Sequence, residues 1–378
     1  LKPRGSSDTV YQGPIACQSS TATAATAPGH ARPPWTRKLS CLPTSADRCD
    51  NISVDHARDV TVAIKSFTRQ RNWANALGML AKMQEQTSEP NIITYTAAIN
   101  ACAKGKKWEQ ALRILANMQE HVVNRDAILC CAVISACAKG EQWQHAMGIL
   151  ADMQERDVEP DMVCYNAALS ACAKGAQWKQ ALALLRDMIK RDLQPDVIGY
   201  NSAISACGNS EQWQRALGLL SKMHKHSVVS YNAAISACGK GMQWEWALIL
   251  LAAMHEHNLE PDLIGYNAAI SACGNSAQWE MAMLILVRLQ ERDFEPNVVS
   301  HGAAISACEK GEQWQFASRL LFDMQERDQE PDVISYNAVI SAYGHDAQWE
   351  RALSLFAAMQ EHDLAPTVIS YSAAISAC

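Results

Sequence analysis

The chain has 378 residues, of which 48% are hydrophobic and 19% are charged, and its net charge is −6. This composition excludes an intrinsically disordered chain. The net charge argues against a generic polyanion-binding protein, which is normally basic. The longest strongly apolar segment, 247–254, is much shorter than the roughly 20 residues that a transmembrane helix needs, so we expect no membrane association.

The first 56 residues differ in composition from the rest of the chain. Residues 1–50 are rich in Ser, Thr, Ala, Pro and Arg and poor in acidic residues, as transit peptides and disordered segments both are. We interpret 1–56 as a leader, with both of these alternatives open. The chain begins at Leu1 and ends at Cys378 within a repeat, so we expect it to be a fragment of a longer protein.

From residue 57 onwards the sequence repeats with a period of 35 residues, and such a period decides the fold. Tryptophan marks the period, with one interval of 31, at Trp73, Trp108, Trp143, Trp178, Trp213, Trp244, Trp279, Trp314 and Trp349. We number the repeats 1 to 9, followed by a partial repeat, as 57–91, 92–126, 127–161, 162–196, 197–227, 228–262, 263–297, 298–332, 333–367 and 368–378. Repeat 5 lacks four residues before Val228, so we expect its second helix or turn to be shorter.

The first half of each repeat predicts a helix. In repeat 6, Tyr231, Ala234, Ile235 and Cys238 are apolar and follow helical spacing. Side-chain oxygens near the start of this helix are expected to cap it, at Thr94, Ser230, Ser300 and Ser335. A glycine follows the helix and is expected to end it in the left-handed conformation, at Gly105, Gly140, Gly175, Gly241 and Gly311.

The second half of each repeat predicts another amphipathic helix. In repeat 2 it begins at Trp108 and has apolar residues at Leu112, Leu115 and Met118. A proline near the end of most repeats stops the chain from continuing as a helix. Because neither helix can bury its apolar face alone and stacked hairpins can, we predict an all-α fold, an α-solenoid of tandem helix-turn-helix hairpins.

The fourteen cysteines include no Cys-x-x-Cys pair. Eight of them recur once per repeat at an apolar helical position, at Cys102, Cys137, Cys172, Cys207, Cys238, Cys273, Cys308 and Cys378. We interpret the cysteines as small buried residues in a reducing compartment, and we expect neither a metal site nor a cofactor.

The 35-residue period, the Val-x-x-Tyr-Asn opening and the Pro-Asp ending of the repeats resemble the P-type repeats of the pentatricopeptide repeat family. The resemblance covers 57–378. Tetratricopeptide repeats are the nearest alternative, but their period is about 34 residues and their tryptophan signature differs. The resemblance implies a right-handed superhelix that recognises single-stranded RNA, with one base per repeat.

In that family the fifth and last residues of a repeat contact the base edge, and the second residue packs against the base face. The resemblance therefore implies fifth residues at Thr61, Thr96, Cys131, Asn166, Asn201, Asn232, Asn267, Gly302 and Asn337. The last residues are Asn91, Asp126, Asp161, Asp196, Ser227, Asp262, Asn297, Asp332 and Thr367. The second residues are Ile93, Ile128, Val163, Ile198, Val229, Ile264, Val299 and Ile334, with Arg58 as the exception in repeat 1.

The chemistry of these residues is compatible with base recognition, because Asn offers a donor and an acceptor and Asp offers acceptors. Helix capping alone is the competing explanation for Asn and Asp. The fifth residue varies among Thr, Cys, Asn and Gly while its surroundings hardly change, which favours recognition. The family's pairing rules imply a target similar to 5′-A-G-N-U-C-U-Y-N-N-3′, where N and Y mark weakly specified bases.

The thirteenth residue of the repeat is usually basic, and in the family it approaches the RNA phosphates. The basic examples are Arg69, Lys104, Lys139, Lys174, Lys240 and Lys310, whereas repeats 5, 7 and 9 have Asn209, Asn275 and His345. Lysine near a helix C-terminus is also favoured by the helix dipole, so both explanations stay open. A basic row on an otherwise acidic protein predicts a modest salt dependence, with a log–log slope of at most about −4.

The sequence has none of the phosphate-loop, metalloprotease or zinc-deaminase motifs, so we expect no enzymatic activity in this chain. The first hypothesis is a monomeric protein that binds single-stranded RNA with some sequence preference in a mitochondrion or chloroplast. It would act in RNA processing, stability, editing or translation, with protein cofactors. The alternatives are a protein–protein interaction scaffold and an enzyme with a catalytic domain beyond Cys378.

Overall fold

The computed structural model describes residues 57–85, 90–120, 126–362 and 364–378, so the predicted leader at 1–56 lies outside the described residues. Within these ranges there are 19 helices and no strand. The first helices of the repeats are α1 (Ala57–Arg69), α3 (Ile92–Lys104), α5 (Ala127–Lys139), α7 (Met162–Lys174), α9 (Val197–Asn209), α11 (Val228–Lys240), α13 (Leu263–Asn275), α15 (Val298–Lys310), α17 (Val333–His345) and α19 (Val368–Ala377). The second helices are α2 (Trp73–Glu85), α4 (Trp108–Glu120), α6 (Trp143–Glu155), α8 (Trp178–Lys190), α10 (Trp213–Leu220), α12 (Trp244–Glu256), α14 (Trp279–Glu291), α16 (Trp314–Glu326) and α18 (Trp349–Glu361).

The helices stack in a regular pattern. Each first helix packs against the first helices of the neighbouring repeats, against the second helix of its own repeat and against the second helix of the preceding repeat. The first helices therefore form one continuous row, and the second helices form a row beside it. This arrangement confirms the predicted all-α solenoid of helical hairpins.

The core lies between the two rows of helices. The eighth residue of repeats 2 to 9 is a fully buried Ile or Leu, at Ile99, Ile134, Leu169, Ile204, Ile235, Ile270, Ile305 and Ile340. The fourth, seventh and eleventh residues of the repeat lie on the same face of the first helix because of the helical period. Leu112, Leu115 and Met118 of α4 pack into this core, as their equivalents do in repeats 1 and 3 to 7, whereas repeats 8 and 9 have Ser318 and the exposed Leu353 in place of Leu112.

The prediction of which residues cap the first helices was wrong by one turn. Asn91, Ser227, Asn297 and Asp332 are the N-caps, and their side chains accept hydrogen bonds from backbone amides within the first turn. The predicted caps Thr94, Ser230, Ser300 and Ser335 are instead the third residues of these helices and are buried. The last residue of each repeat therefore caps the first helix of the next repeat.

The prediction of left-handed glycines at the helix ends was also wrong. Gly105 and Gly140 have φ near −80° and −87°, and the left-handed residue is the one that follows, such as Lys106 or Glu141. Glycine is needed for a different reason. A Cβ atom on Gly105 would lie 2.6 Å from Cδ1 of Trp73 in the preceding repeat, and the same close approach recurs at Gly140, Gly175, Gly241 and Gly311.

The interpretation of the cysteines needs one correction. Seven of the eight repeated cysteines are buried as expected, and Cys378 is exposed. However, Cys131 and Cys164 form a disulfide, with their Cα atoms 4.7 Å apart. Stacking of adjacent repeats brings the fifth residue of repeat 3 against the third residue of repeat 4, a contact that the sequence order hides.

The second helix of repeat 5, α10, is shorter than its counterparts. It has 8 residues, whereas the other second helices have 13. The helix is therefore five residues shorter, and the segment that follows it, 221–227, is one residue longer than the six residues found in the other repeats, which accounts for the four missing residues. Among the described residues, no helix is both long and apolar enough to span a membrane.

Candidate nucleic-acid interface

The second, fifth and thirteenth residues of each repeat lie on one face of the first helix, opposite the buried face, because of the helical period. The second residues of repeats 2 to 9 are all aliphatic and all exposed, between 57% and 67%. They are Ile93, Ile128, Val163, Ile198, Val229, Ile264, Val299 and Ile334. A regular row of exposed aliphatic side chains, one per repeat, has no packing role within the chain and is suited to contact with a flat apolar surface.

The fifth and last residues of several repeats touch each other. Asn166 Nδ2 lies 3.1 Å from both carboxylate oxygens of Asp196, and Asn232 Nδ2 donates to Asp262 Oδ1 at 2.8 Å. The equivalent contacts in repeats 7 and 3 are longer. Asn267 Nδ2 lies 3.4 Å from Asn297 Oδ1, and Cys131 Sγ lies 3.3 Å from Asp161 Oδ1.

These contacts fix the orientation of the asparagine amides. Because a carboxylate only accepts hydrogen bonds, the nitrogen of the amide must face it. The amide oxygen then points the other way, and the Oδ1 atoms of Asn166 and Asn232 are buried without a hydrogen-bond donor. The Oδ1 atoms of Asn201 and Asn337 are in the same state. An unpaired buried acceptor costs free energy until a donor reaches it.

In repeats 2 and 8 the two predicted base-edge residues do not pair in this way. Thr96 donates its hydroxyl proton to the Ile92 carbonyl of its own helix at 2.8 Å, and Gly302 has no side chain. Thr61 lies 2.9 Å from Thr94 of the next repeat, measured between the hydroxyl oxygens. The side chain of Arg58, the exceptional second residue, is outside the described part of the chain.

Every last residue has a second role, because it caps the next first helix. The side chains of all nine last residues accept a backbone amide of the first turn, including Asp126 and Thr367. Capping therefore suffices to explain Asn and Asp at this position. The fifth residue lies within the helix and has no capping role, so its identity is the more informative of the two.

The thirteenth residues form an exposed row along the same face, at the C-terminal ends of the first helices. All six basic members are exposed: Arg69, Lys104, Lys139, Lys174, Lys240 and Lys310. Neighbouring members touch, since Lys240 Nζ donates to Asn209 Oδ1 and Lys310 Nζ lies 3.3 Å from Asn275 Oδ1. These contacts join the thirteenth residues of repeats 5 and 6 and those of repeats 7 and 8, so the repeats with asparagine belong to the same row.

A cavity of about 460 Å³ opens on this face at the C-terminal end of the array. Its walls include Ile334 and Ile369, the second residues of two successive repeats, and Asn337 and His345 also line it. The cavity shows how an aliphatic pair and a fifth residue can together surround a flat ligand.

One further set of residues at this interface was not predicted from the sequence, the third residue of the following repeat. It lies beside the fifth residue of the preceding repeat at Thr94, Cys164, Gly199, Gly265, Ser300 and Ser335. The signal that could have revealed it is variation within the chain, because this position alternates among Thr, Leu, Cys, Gly and Ser.

Three models of one repeat family match most of the array. The "PPR repeat family" model matches 125–174, 160–209 and 331–378, and the "Pentatricopeptide repeat domain" model matches 51–105, 78–124 and 249–310. The "PPR repeat" model matches 198–228 and 229–259. The chain belongs to the pentatricopeptide repeat family. No curated protein matches this pentatricopeptide repeat chain.

Solved structures agree with this assignment at the level of the fold. Two structures of the pentatricopeptide repeat protein PPR10 in complex with an 18-nt psaJ RNA element share 16% identity with the chain and superpose with a TM-score of 0.74. They cover 86% of this chain, which spans 48% of theirs, about half their length. PPR10 from maize, in a further structure, gives a TM-score of 0.47 at 17% identity and covers 83% of this chain and 60% of its own.

Proposed function

We propose that this pentatricopeptide repeat protein binds single-stranded RNA with sequence preference, one nucleotide per repeat, along the face that carries the second, fifth and thirteenth residues. One observation supports the proposal above all others. Eight exposed aliphatic side chains recur at one per repeat, each beside a fifth residue of varying identity. A base stacked between two of them would present its edge to the fifth and last residues.

The charge distribution supports the same proposal. The chain is acidic overall, which disfavours unspecific attraction to nucleic acid. The exposed basic residues at position thirteen supply a local positive row beside the aliphatic row. Phosphates would follow that row while bases point towards the fifth residues.

The unpaired asparagine oxygens of repeats 4 and 6 favour uracil as the bound base. Uracil carries an N–H donor between two carbonyl acceptors. In repeats 4 and 6 an amide oxygen lacks a donor and a carboxylate lies beside it. A uracil N–H would supply the missing donor after a small rotation of the amide. We therefore assign uracil to these two repeats and keep 5′-A-G-N-U-C-U-Y-N-N-3′ as the expected target.

Fluorescence anisotropy tests this function. The full chain is titrated with labelled 5′-AGUUCUCUU-3′, with a scrambled RNA of the same composition and with the matching DNA. We expect the designed RNA to bind at least about tenfold more tightly than the scramble, the equivalent of one or two discriminating contacts. Equal affinity for the designed and scrambled RNAs would contradict sequence preference, and absence of binding would contradict the function itself.

The cellular role belongs to the proposal as well. We place the protein in a mitochondrion or chloroplast because of the composition of residues 1–50, and we assign it to transcript processing, stability, editing or translation. We expect a monomer that works with protein cofactors. A fluorescent fusion of the full chain tests the compartment, and exclusion of the fusion from both organelles would refute it.

A protein-binding scaffold is the second candidate, and a separate surface favours it. The second helices of repeats 6 to 8 expose large apolar side chains at Trp246, Ile249, Leu284, Val287 and Phe322. Equivalent positions in repeats 2 to 5 are polar or small. Cross-linking mass spectrometry distinguishes the candidates. Cross-links from α12, α14 and α16 to one protein, in a chain that binds no RNA, would favour the scaffold.

A further inference from the structure

The fifth residue of a repeat contacts one residue of the following repeat, the third. Thr61 with Thr94, Cys131 with Cys164 and Asn267 with Ser300 are each 33 residues apart and in contact. The contact is set by the stacking of first helices and recurs along the array. The identity of the third residue therefore changes the immediate surroundings of the fifth.

Ser300 and the two glycines show how large this change is. The Ser300 hydroxyl donates to Asn267 Oδ1 at 2.6 Å, so the amide oxygen of repeat 7 already has a donor. Gly199 and Gly265 offer no hydroxyl, and Asn166 Oδ1 and Asn232 Oδ1 lack any donor. Three asparagines at the same position in the repeat thus differ in hydrogen bonding because of a residue in the next repeat.

Glycine also leaves the space that the amide oxygen occupies. A Cβ atom on Gly265 would lie 2.6 Å from Asn232 Oδ1, and one on Gly199 would lie 2.9 Å from Asn166 Oδ1. Any larger residue would push these amides away from their present position. Both glycines lie in the first turn of a helix, where the helical backbone itself does not require glycine.

The third-residue serines that follow repeats 5, 8 and 9 do not hydrogen-bond to the fifth residue of the preceding repeat. Ser230 lies 2.8 Å from the Ser227 hydroxyl, Ser335 donates to Asp332 Oδ1 at 2.8 Å, and Ser370 lies 3.1 Å from the Thr367 hydroxyl. A third-position serine can therefore serve either the cap or the fifth residue. In repeat 7 the shorter contact is the one to Asn267, since Ser300 Oγ lies 3.0 Å from Asn297 Oδ1.

We propose that the third residue of the following repeat is a specificity-determining positioning residue, which sets the base preference of the fifth residue by pairing with it, displacing it or leaving it free. This inference rests on the proposed RNA-binding function. With Gly265, the buried Asn232 amide oxygen has no donor among the described residues, and we expect the amide to turn so that this oxygen accepts from a uracil N–H. With Ser300, the Asn267 oxygen is already engaged, so repeat 7 distinguishes uracil from cytosine weakly.

The test measures the affinity ratio for uracil over cytosine at single nucleotides of 5′-AGUUCUCUU-3′. Ser300→Ala removes the hydroxyl and keeps the Cβ atom, and we expect the ratio at nucleotide 7 to rise about threefold to tenfold, the effect of one hydrogen bond. Gly265→Ala displaces the Asn232 amide, and the ratio at nucleotide 6 should fall by a similar factor. The other nucleotides should keep their ratios, which a general loss of stability would not achieve.

Two variants serve as matched controls. Ser318→Ala also removes a serine hydroxyl, but on the second helix α16, where that hydroxyl donates to the Gln315 carbonyl of its own helix. Gly218→Ala adds a Cβ atom on an exposed helix where nothing lies within 4 Å. Neither should change any base ratio.

The outcomes separate this inference from the function on which it rests. Unchanged ratios in Ser300→Ala and Gly265→Ala, in a protein that still prefers the designed RNA, would overturn the inference alone. Failure of the unsubstituted protein to bind RNA would overturn both. Changes of equal size in the controls would also overturn the inference, because the effect would then not depend on the fifth side chain.

Discussion

The interior of each repeat and its ligand-facing edge use the same helix in opposite ways. On the buried face, the eighth residue is Ile or Leu throughout repeats 2 to 9. At the edge of the opposite face, the fifth residue is buried or half-buried and changes among Thr, Cys, Asn and Gly. We therefore expect the eighth residue to affect stability and the fifth residue to affect recognition, whereas the last residue, which also caps a helix, affects both.

The largest effect should come from the basic row on the exposed face. Replacing Lys104, Lys139, Lys174, Lys240 and Lys310 with Gln should lower RNA affinity about a hundredfold or more at about 100 mM salt, because each phosphate contact contributes roughly 0.7 to the log–log salt slope. The ratio of designed to scrambled RNA should stay the same. Anisotropy titrations across a salt series measure both the RNA affinity and the ratio of affinities for the designed and scrambled RNAs.

A matched control removes the same charge from other exposed positions. Gln replaces five exposed basic residues on or just after second helices, Lys179, Arg186, Lys190, Lys222 and Lys225. This variant should keep most of its affinity. If both variants lose affinity equally, the phosphates do not follow the thirteenth residues.

Substitutions in the interior of the repeats should change the stability of the protein and leave its base preference unchanged. In Gly140→Ala the new Cβ atom would lie 2.3 Å from Trp108 Cδ1, so the ring must move, and we expect a loss of about 1–3 kcal/mol. Urea denaturation followed by circular dichroism measures it. Gly148→Ala, in open space on α6, should instead stabilise the protein by about 0.5–1 kcal/mol. A wild-type midpoint for Gly140→Ala would show that the Trp–Gly contact is unimportant.

Deprotonation of the buried cysteines should have the smallest effect on stability. We expect none near neutral pH and a loss of stability at high pH. Burial raises the thiol pKa of Cys102, Cys137 and Cys308 to about 12, and that of Cys172, Cys207, Cys238 and Cys273 to about 11. The folded state thus binds protons that the unfolded chain releases from about pH 9. We expect a constant melting temperature up to about pH 8 and a progressive fall between about pH 9 and 12.

Alkylation provides an independent check of the same burial. At neutral pH iodoacetamide should modify the exposed Cys378 and leave the seven buried thiols of the repeated series unmodified, because the reactive thiolate is suppressed. Peptide mapping gives the extent of modification at each site. Rapid modification of Cys238 in the folded protein would contradict a closed core between the rows of helices.

Much of the fold could be predicted from the sequence because the repeat specifies it. The 35-residue period and the helical spacing of residues such as Tyr231 and Cys238 were enough to predict paired helices in a solenoid. The cap assignments failed because Thr94 and Ser300 are good capping residues and lie only three positions after the true caps. The glycine prediction failed because glycine at position 105 is required by the close approach of Trp73 from the preceding repeat and not by the backbone conformation.

The candidate site was less predictable for a related reason. The resemblance supplied the second, fifth, last and thirteenth positions, and the structure places them on one face or at its edge. The third residues escaped notice because their role depends on a contact with a residue 33 positions earlier. The Cys131–Cys164 disulfide arises from the same contact, and no local pattern in the sequence indicates it.

The most direct test of the separation between interior and edge is a paired exchange in repeat 6. Asn232→Thr, with Asp262 retained, reproduces the Thr–Asp pair of repeat 2, and the RNA changes from uracil to guanine at nucleotide 6. We predict that the variant loses about tenfold affinity for the original RNA, regains it with the guanine RNA and unfolds at the wild-type urea midpoint. Loss of affinity without recovery on the guanine RNA, or a changed midpoint, would contradict the account.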